Sequence, residues 1–240
     1  MSKEYSTDQQ DVLEENISYV RATIEQAARS AGRDPADIVL VAVSKTKPLA
    51  MVKMAYDLGI TNFGENRVQE ALLKIAEFHP SDLRWHMIGH LQSNKVNKVV
   101  GAFDAIQSVD SLHLAEALNR SVAAHKQRLP VLLEVNVAAE PSKAGMLIEE
   151  VPSLAQQIVA LPHLDVQGLM TVAPLVDDPE EVRPVFRALR VLRDQLRAYI
   201  PQRSWQHLSM GMTDDYSIAI QEGATIVRVG RAIFGERTRK

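Results

Sequence analysis

The stretch IVLVAVSKTKPLAMVKMAYDLGITNFGEN (38–66) contains one complete unit of the fold that the sequence predicts. An apolar run at 38–43 is followed by a polar turn with a proline, a helical stretch at 50–58 and a second apolar run at 60–63. Parallel strands need a crossover connection, which is usually a helix. The order strand, helix, strand therefore predicts two neighbouring strands of a parallel sheet.

The same alternation continues along the chain. Apolar runs that we predict as strands lie at 38–43, 60–63, 85–88, 103–106, 131–137, 166–172, 205–210 and 225–229, and helical stretches lie at 50–58, 68–78, 112–125, 151–161, 181–199 and 214–221. Eight strand–helix units in about 200 residues suit a compact (β/α)8 barrel. We therefore predict an α/β protein with a single (β/α)8 TIM barrel domain over residues 1–240. An open doubly wound sheet is the alternative.

An additional helix is predicted before the first strand, at residues 8–31. Its apolar side chains recur at steps of three and four residues, which places them on one stripe of a helix. Gly32 follows as a typical C-terminal stop. We expect this N-terminal helix to pack on the barrel through the apolar stripe, which comprises Leu13, Ile17, Val20, Ile24, Ala28 and Ala31.

The composition excludes several classes of protein. A net charge of −3 over 240 residues provides no electrostatic footprint for nucleic acid or for an anionic membrane. The chain has no cysteine, which excludes disulfides, thiolate zinc sites and cysteine nucleophiles. The start MSKEYSTDQQ lacks the apolar core of a signal peptide, and no apolar run is long enough for a membrane helix. We expect a cytoplasmic globular protein and, without an exposed coiled-coil face, a monomer.

Lys45 is the most informative residue at the predicted strand ends. In a (β/α)8 barrel the chemistry lies beyond the C-terminal ends of the strands, and Lys45 follows the most apolar strand. A lysine that loses water at an apolar mouth has a lowered pKa, and its neutral amine can form a Schiff base with an aldehyde. A solvated rim lysine is the simpler interpretation, and by spacing alone Lys47 is an equal candidate.

The loops after the seventh and eighth strands indicate a phosphate site. Loops at these two places most often hold a phosphate in this fold. Gly211 and Gly230 allow backbone N–H groups to approach an anion, while Ser209 and Arg231 add donors. The two aspartates at 214–215 are expected to begin the next helix and would repel a phosphate bound at its end. Ordinary turn glycines are an equal explanation.

Two further features concern charged or metal-binding side chains. Arg228 interrupts an apolar strand and must find an acceptor, which could be a carboxylate such as Glu134 or a ligand. His86 and His90 have a spacing of four residues, but they span a strand end and a glycine rather than a helix. A zinc pair is therefore not expected.

Seven stretches together resemble the pyridoxal phosphate homeostasis protein family. They are AVSKTKP (42–48), NFGENRVQEA (62–71), WHMIGHLQSNK (85–95), LEVNVAAEPSKAG (133–145), GLMTV (168–172), LSMGMTDD (208–215) and VRVGRAIFGER (227–237). They occur in order over nearly the whole chain. The resemblance implies a barrel similar to the N-terminal barrel of alanine racemase, with pyridoxal 5′-phosphate (PLP) as its cofactor.

The resemblance also implies roles for individual residues. Lys45 matches the Schiff-base lysine of the family, which decides against Lys47, and Arg228 matches the arginine that faces the pyridine nitrogen. The backbone N–H of Arg231 is expected to hold phosphate, whereas a contact by its side chain is left open, because many relatives have a small hydroxyl residue at this position. The remaining expected cofactor-binding residues are Ser209, Gly211 and Gly230 at the phosphate, and Asn66 and His86 along the pocket.

The implied function is a PLP-binding protein of vitamin B6 homeostasis without substantial catalysis, which would supply PLP to apo-enzymes. An arginine at the pyridine nitrogen keeps that nitrogen unprotonated, and the ring is then a weak electron sink. Racemases of this fold also need a second base on the opposite face of the cofactor and a second domain that closes the site. This chain ends at Lys240, which leaves no room for that domain, and among its tyrosines only Tyr216 is near a predicted rim loop. A racemase-like enzyme of low activity and a regulatory protein whose PLP occupancy is read by a partner are the alternatives.

Overall fold

The computed structural model describes residues 7–124, 128–202 and 205–236, and this part of the chain forms a closed parallel barrel. Its eight barrel strands are Val39–Val43 (β1), Asn62–Glu65 (β2), Arg84–Met87 (β3), Ala105–Val109 (β4), Leu129–Asn136 (β5), Leu164–Met170 (β7), His207–Ser209 (β8) and Ile226–Val229 (β9). They pair in the order β4-β3-β2-β1-β9-β8-β7-β5, and pairing of β4 with β5 closes the ring. The predicted (β/α)8 barrel is confirmed, and the open sheet is excluded.

Helices surround the barrel and connect its strands. They are Thr7–Ser30 (α1), Leu49–Asp57 (α2), Val68–Glu77 (α3), Val96–Val99 (α4), Leu112–Val122 (α5), Val151–Val159 (α6), Arg183–Tyr199 (α7), Tyr216–Gln221 (α8) and Arg231–Phe234 (α9). Short 3-10 turns lie at Pro35–Asp37, Ser93–Lys95 and Pro179–Val182. Within the described ranges, no helix is long and apolar enough to cross a membrane.

The sequence pattern missed only short elements. Besides the 3-10 turns, these are α4, α9 and the two-residue strand Met146–Leu147 (β6), which pairs with β5 outside the ring. Each is too short to show a helical or strand period, so no pattern indicates it. The stretch predicted as a helix at 112–125 ends in α5 at Val122, and residue 125 lies outside the described residues.

The N-terminal helix packs on the barrel as predicted. Leu13, Ile17 and Val20 on its apolar stripe are at most 2% exposed. The helix contacts α8 and α9, the two helices that follow the phosphate loops expected from the sequence. It therefore supports the closing segment of the barrel from outside.

The inside of the barrel changes from apolar to polar toward the C-terminal ends of its strands. Val41, Leu132, Met170 and Ile226 form a small apolar cluster separate from the main core between sheet and helices. Two residues further along β5 and β9, the buried side chains are the charged Glu134 and Arg228. Because successive side chains on a strand alternate between faces, Glu134 shares the inner face with Leu132, and Arg228 shares it with Ile226. The polar half of the interior is where the candidate site lies.

Candidate functional site

Lys45 lies just beyond the C-terminal end of β1, beside the loop that follows β9. These two strands pair in parallel, with Val41 opposite Arg228. A Cβ atom built on Gly230 would lie 3.3 Å from the carbonyl oxygen of Val43, so the two chains are in close contact at this level. Lys45 follows Val43 by two residues. The lysine, the loop after β9 and the buried arginine therefore occupy one side of the barrel mouth.

A buried ion pair anchors the residue before Lys45. Lys74 on α3 donates to Oε1 of Glu65 at 2.6 Å and to the carbonyl oxygen of Ser44 at 2.9 Å. The hydroxyl of Ser44 also donates to Oε1 of Glu65, at 2.7 Å. Thr46 then adopts a φ of +65°, which turns the chain away from the strand. Lys45 is thus held between a fixed strand end and a tight turn.

Lys47 is directed to a different part of the molecule. Its Nζ donates to the carbonyl oxygens of Phe234 at 2.7 Å, Gly235 at 3.2 Å and Glu236 at 3.0 Å. Burial lowers the pKa of Lys47. Its amine is therefore committed to the end of α9.

The loop after β8 requires glycine at position 211. Gly211 has a φ of +93°, a region that residues with a side chain rarely adopt. A Cβ atom there would also lie 2.6 Å from Cβ of Ala219 and 2.8 Å from Cα of Tyr216. The next amide, that of Met212, donates to Oδ1 of Asp215 at 2.6 Å. The loop thus passes close to α8 with its backbone conformation fixed.

The loop after β9 presents backbone rather than a free side chain. Gly230 precedes α9, and the exposed guanidinium of Arg231 forms ion pairs with Asp214 and, at 3.6 Å, with Glu236. Of the two aspartates expected to begin the next helix, Asp215 is the N-cap of α8, which begins at Tyr216, whereas Asp214 lies in the loop before it. There Asp215 accepts from a loop amide and Asp214 pairs with Arg231.

Arg228 is buried in the barrel with 4% of its surface exposed. Its NH1 donates to Oγ of Ser209 at 2.6 Å, and its NH2 donates to the carbonyl oxygen of Thr171 at 2.9 Å. Burial lowers the pKa of Arg228 to about 10, so the guanidinium is still charged at neutral pH. In the described part of the chain no carboxylate lies within ion-pair distance of it. The direct pairing with Glu134 that the sequence suggested is absent there.

Glu134 is the second buried charged residue on the inner face. It is 8% exposed, and its Oε2 has no hydrogen-bond partner. Burial raises its pKa to about 7; Asp110 acts in the same direction and Arg228 in the opposite one. A carboxyl group with an unpartnered oxygen therefore faces the barrel interior on the wall opposite β1.

A chain of hydrogen bonds crosses the barrel from Arg228. Ser209 donates to Oε1 of Gln107 at 2.6 Å, and Nε2 of Gln107 is 3.1 Å from Nδ1 of His86. The other imidazole nitrogen of His86 is 3.0 Å from Oδ1 of Asn62. Burial lowers the pKa of His86 to about 4, so its ring is neutral at pH 7. Gln107 and Asn62 were not predicted from sequence, although each interrupts an apolar strand, as Arg228 does.

The predicted site residues divide into two groups. His86 and Arg228 lie inside the barrel, and His86 also lines a cavity of about 490 Å³ at the opposite, N-terminal end. Asn66 directly follows β2, and a Cβ atom on Gly89 would lie 2.5 Å from its carbonyl oxygen. The residues that follow the C-terminal ends of strands are Lys45, Asn66, Gly211, Gly230 and Arg231. Ser209 belongs to both groups, because it ends β8 while its buried hydroxyl contacts Gln107 and Arg228 inside the barrel.

The two histidines considered for zinc lie in different surroundings. His90 is exposed and pairs with Asp110 at 3.0 Å, whereas His86 is inside the barrel. Across residues 7–124, 128–202 and 205–236, no group of three metal-ligating side chains is present.

The structure combines a closed barrel, a lysine after β1 and glycine-containing loops after β8 and β9. These features define the class of protein to which the N-terminal domain of alanine racemase belongs. The family model for that domain matches residues 11–238 of this chain. The chain is 42% identical over 227 residues to the pyridoxal phosphate homeostasis protein of Aquifex aeolicus, with 93% of this chain and 97% of the relative covered. It is 44% identical over 225 residues to that of Pseudomonas aeruginosa, with 94% and 96% covered. The chain belongs to the pyridoxal phosphate homeostasis protein family.

Solved structures agree with this assignment. PipY of Synechococcus elongatus with PLP bound superimposes with a TM-score of 0.82 at 37% identity, covering 93% of this chain and 100% of that one. Alanine racemase from Corynebacterium glutamicum gives a TM-score of 0.71 at 16% identity, covering 95% of this chain and 62% of the racemase. The second likeness shows a shared barrel fold alone.

Proposed function

We propose that this protein binds PLP as a Schiff base on Lys45 and serves in PLP homeostasis. The relatives named for that role and PipY, a related protein with PLP bound, support the proposal. The observation that carries it is the pairing of β1 with β9, which brings Lys45, the loop at Gly230 and the buried Arg228 to one side of the mouth.

The residues present fit this cofactor in charge and in shape. Arg228 is a buried cation without a carboxylate at ion-pair distance in the described ranges, and an acceptor such as a pyridine nitrogen would satisfy it. Gly211 and Gly230 have little room for a Cβ atom, so both loops consist of closely packed backbone at the mouth, which suits a phosphate held by backbone N–H groups. The remaining proposed binding residues are Asn66, His86, Ser209 and the backbone of Arg231.

The chemistry of attachment is reversible. PLP supplies an aldehyde, whose carbon forms a C=N bond with Nζ of Lys45 as one water molecule leaves. The backbone around Lys45 holds the amine in place, because Ser44 is anchored to Lys74 and Glu65. Attack by water or by another amine reverses the bond, so a cofactor held in this way can be delivered to other proteins.

We further propose that the protein is a carrier with no substantial catalysis. Arg228, as a permanent donor to the ring nitrogen, keeps that nitrogen unprotonated and the ring a weak electron sink. Tyr216, the tyrosine nearest a rim loop in sequence, is buried against α1, where its hydroxyl interacts with Thr23. It is therefore not placed as a second base in the mouth. A low racemase activity is the alternative.

The first experiment locates the cofactor. Purified protein is loaded with PLP, its visible spectrum is recorded, the Schiff base is reduced with borohydride and the modified peptide is mapped. We expect a yellow protein with the pyridoxyl group on Lys45, and Lys45→Ala should lose both the colour and the label. Lys47→Ala is the matched control and should retain them. A colourless wild-type protein, or a label that survives Lys45→Ala, would refute the assignment.

The second experiment separates carrier from enzyme. Loaded protein is incubated with L-alanine and L-serine, and the D-isomers are measured by chiral chromatography. We expect no turnover above that of free PLP, whereas loaded protein should restore activity to an apo PLP enzyme. Sustained racemisation that disappears in Lys45→Ala would establish the enzyme instead.

We also propose that the carrier is a cytoplasmic monomer. Light scattering of the loaded protein tests the oligomeric state, and cell fractionation tests the location.

A further inference from the structure

We propose that Gln107, which is not among the residues assigned to the cofactor site, is a positioning residue that aims Arg228 at the ring of the bound cofactor. This inference rests on the proposed function. Gln107 is on β4, across the barrel from Arg228 on β9, and it acts through the hydroxyl of Ser209. We refer to the series Asn62, His86, Gln107, Ser209 and Arg228 as the interior chain.

With the side-chain amides of Asn62 and Gln107 oriented as in this structure, the interior chain has one order of donors and acceptors. Nδ2 of Asn62 donates to Oγ1 of Thr61 at 3.3 Å, so its Oδ1 faces the imidazole of His86 and accepts from Nε2. In a neutral ring Nδ1 of His86 must then accept, and the amide nitrogen of Gln107 is its donor. The carbonyl oxygen of Gln107 is left to accept from Ser209.

This order determines how Ser209 meets Arg228. A serine hydroxyl has a single proton, and here it is directed to Gln107, so the lone pairs of Ser209 are directed to NH1 of Arg228. The second contact of the guanidinium, from NH2 to the carbonyl oxygen of Thr171, fixes its plane. With two contacts fixed, the direction of the remaining N–H groups is fixed as well.

Water cannot replace Gln107 without a change in packing. Gln107 is 1% exposed and Ser209 is fully buried. If the amide of Gln107 were lost, the hydroxyl proton of Ser209 would have no acceptor on the side of β4. The hydroxyl would then rotate toward a different acceptor and would compete for it with the guanidinium of Arg228. A glutamine is suited to this position because it accepts from a hydroxyl and donates to an imidazole at once.

Two variants at this position separate the two ends of the amide. Gln107→Leu removes both contacts, whereas Gln107→Glu retains an acceptor for Ser209 and removes the donor to His86. Gln157→Leu is the control, because Gln157 lies on the exposed face of α6 and its side chain donates to the carbonyl oxygen of Ser153 in the same helix. PLP affinity is measured by absorbance titration, and the environment of the ring nitrogen is read by NMR of 15N-labelled PLP bound to each variant.

We expect Gln107→Leu to keep the label on Lys45, lose about tenfold in PLP affinity and shift the ring-nitrogen resonance. Gln107→Glu should lie closer to the wild type in both measurements, and Gln157→Leu should equal it. A merely structural role would lower thermal stability without moving the ring-nitrogen resonance. Wild-type affinity together with an unmoved resonance in Gln107→Leu would overturn the proposal.

A measurement on the wild-type protein without PLP tests the order of donors and acceptors in the interior chain. Its result depends neither on whether a variant folds nor on the proposed function. Histidine 15N NMR of the wild-type apo-protein should show His86 neutral at pH 7, with its proton on Nε2 and Nδ1 accepting. If His86 carries its proton on Nδ1, the interior chain is ordered differently and the inference fails. If the order is as stated but the wild type is never labelled by PLP, the proposed function fails instead.

Discussion

Two glutamates, Glu65 and Glu134, are both buried but differ in the groups that surround their carboxylates. Both are at most 8% exposed, and in both one carboxylate oxygen, Oε2, has no hydrogen-bond partner. Glu65 faces outward to α3, where Lys74 and Ser44 donate to its other oxygen. Glu134 faces inward, and the cation that acts on it, Arg228, lies beyond ion-pair distance.

The difference shows where this fold leaves charge unsatisfied. A buried charge destabilises a protein unless it is paired and hydrogen-bonded. The chain satisfies this requirement outside the barrel, where Glu65 holds the backbone that precedes Lys45. Inside the barrel it leaves Glu134 and Arg228 unpaired with each other, on the face where a ligand would bind. The first carboxylate supports the site, and the second belongs to its interior.

The largest expected effect comes from breaking the outer pair. Lys74→Met leaves Glu65 as a buried carboxylate without its cation, which typically costs about 3–5 kcal/mol of unfolding free energy. Urea denaturation at pH 7 measures this loss. The double variant Glu65→Met with Lys74→Met should recover most of it, because an apolar pair of similar volume replaces the ion pair. A double variant as unstable as Lys74→Met would show that packing, and not the charge, dominates.

A smaller effect is expected at the inner carboxyl group, and it depends on pH. Folding raises the pKa of Glu134 from 4.5 to about 7, so the folded protein binds a proton that the unfolded chain has released. Stability from this group therefore falls as pH rises from about 4.5 to about 7. Glu134→Gln removes that loss and should stabilise the protein by up to about 3 kcal/mol at pH 8, with little effect at pH 4.5.

The comparison of Glu134→Gln with the wild type cancels the contribution of His86. Burial lowers the pKa of His86 to about 4, so its contribution is lost as pH falls from 6.5 toward 4, the opposite direction. That contribution is present in both proteins. Glu181→Gln, at an exposed carboxylate on the Pro179–Val182 turn, is the matched control and should leave the pH profile unchanged. A stability difference between Glu134→Gln and wild type that does not vary with pH would contradict the argument.

The sequence predicted the barrel because short apolar runs alternate with helical stretches along the chain, an order typical of parallel strands with helical crossovers. It also predicted the residues that follow strand ends, such as Lys45 and Ser209, because the fold places chemistry there. It could not predict the interior chain, because the contact of Gln107 with Ser209 joins β4 and β8, which meet across the barrel only when β4 and β5 close the ring. The contact of Asn62 with His86 depends on the register of β2 and β3, which no sequence pattern reports. Polar residues that interrupt apolar strands were the available signal, and only Arg228 was recognised by it.

The outer pair of Glu65 and Lys74 was also not predicted. Its residues are separated by nine positions and lie on a strand and the helix after it, so neither a strand period nor a helix period connects them. Sequence patterns report which face of an element is apolar. They do not report which polar groups from two elements share a buried contact.

The smallest effect is expected at an exposed ion pair, which serves as the reference for the buried pair of Glu65 and Lys74. Arg231 and Asp214 form an ion pair of which 48% and 63% of the side chains remain exposed. Exposed pairs contribute less than about 1 kcal/mol, and salt screens them. A double-mutant cycle with Arg231→Ala and Asp214→Ala should give a coupling energy below that value, whereas the same cycle at Glu65 and Lys74 should give several times more. Equal coupling energies at the two ion pairs would mean that burial does not determine how strongly the two charges are coupled. The contrast between Glu65 and Glu134 would then lose its basis.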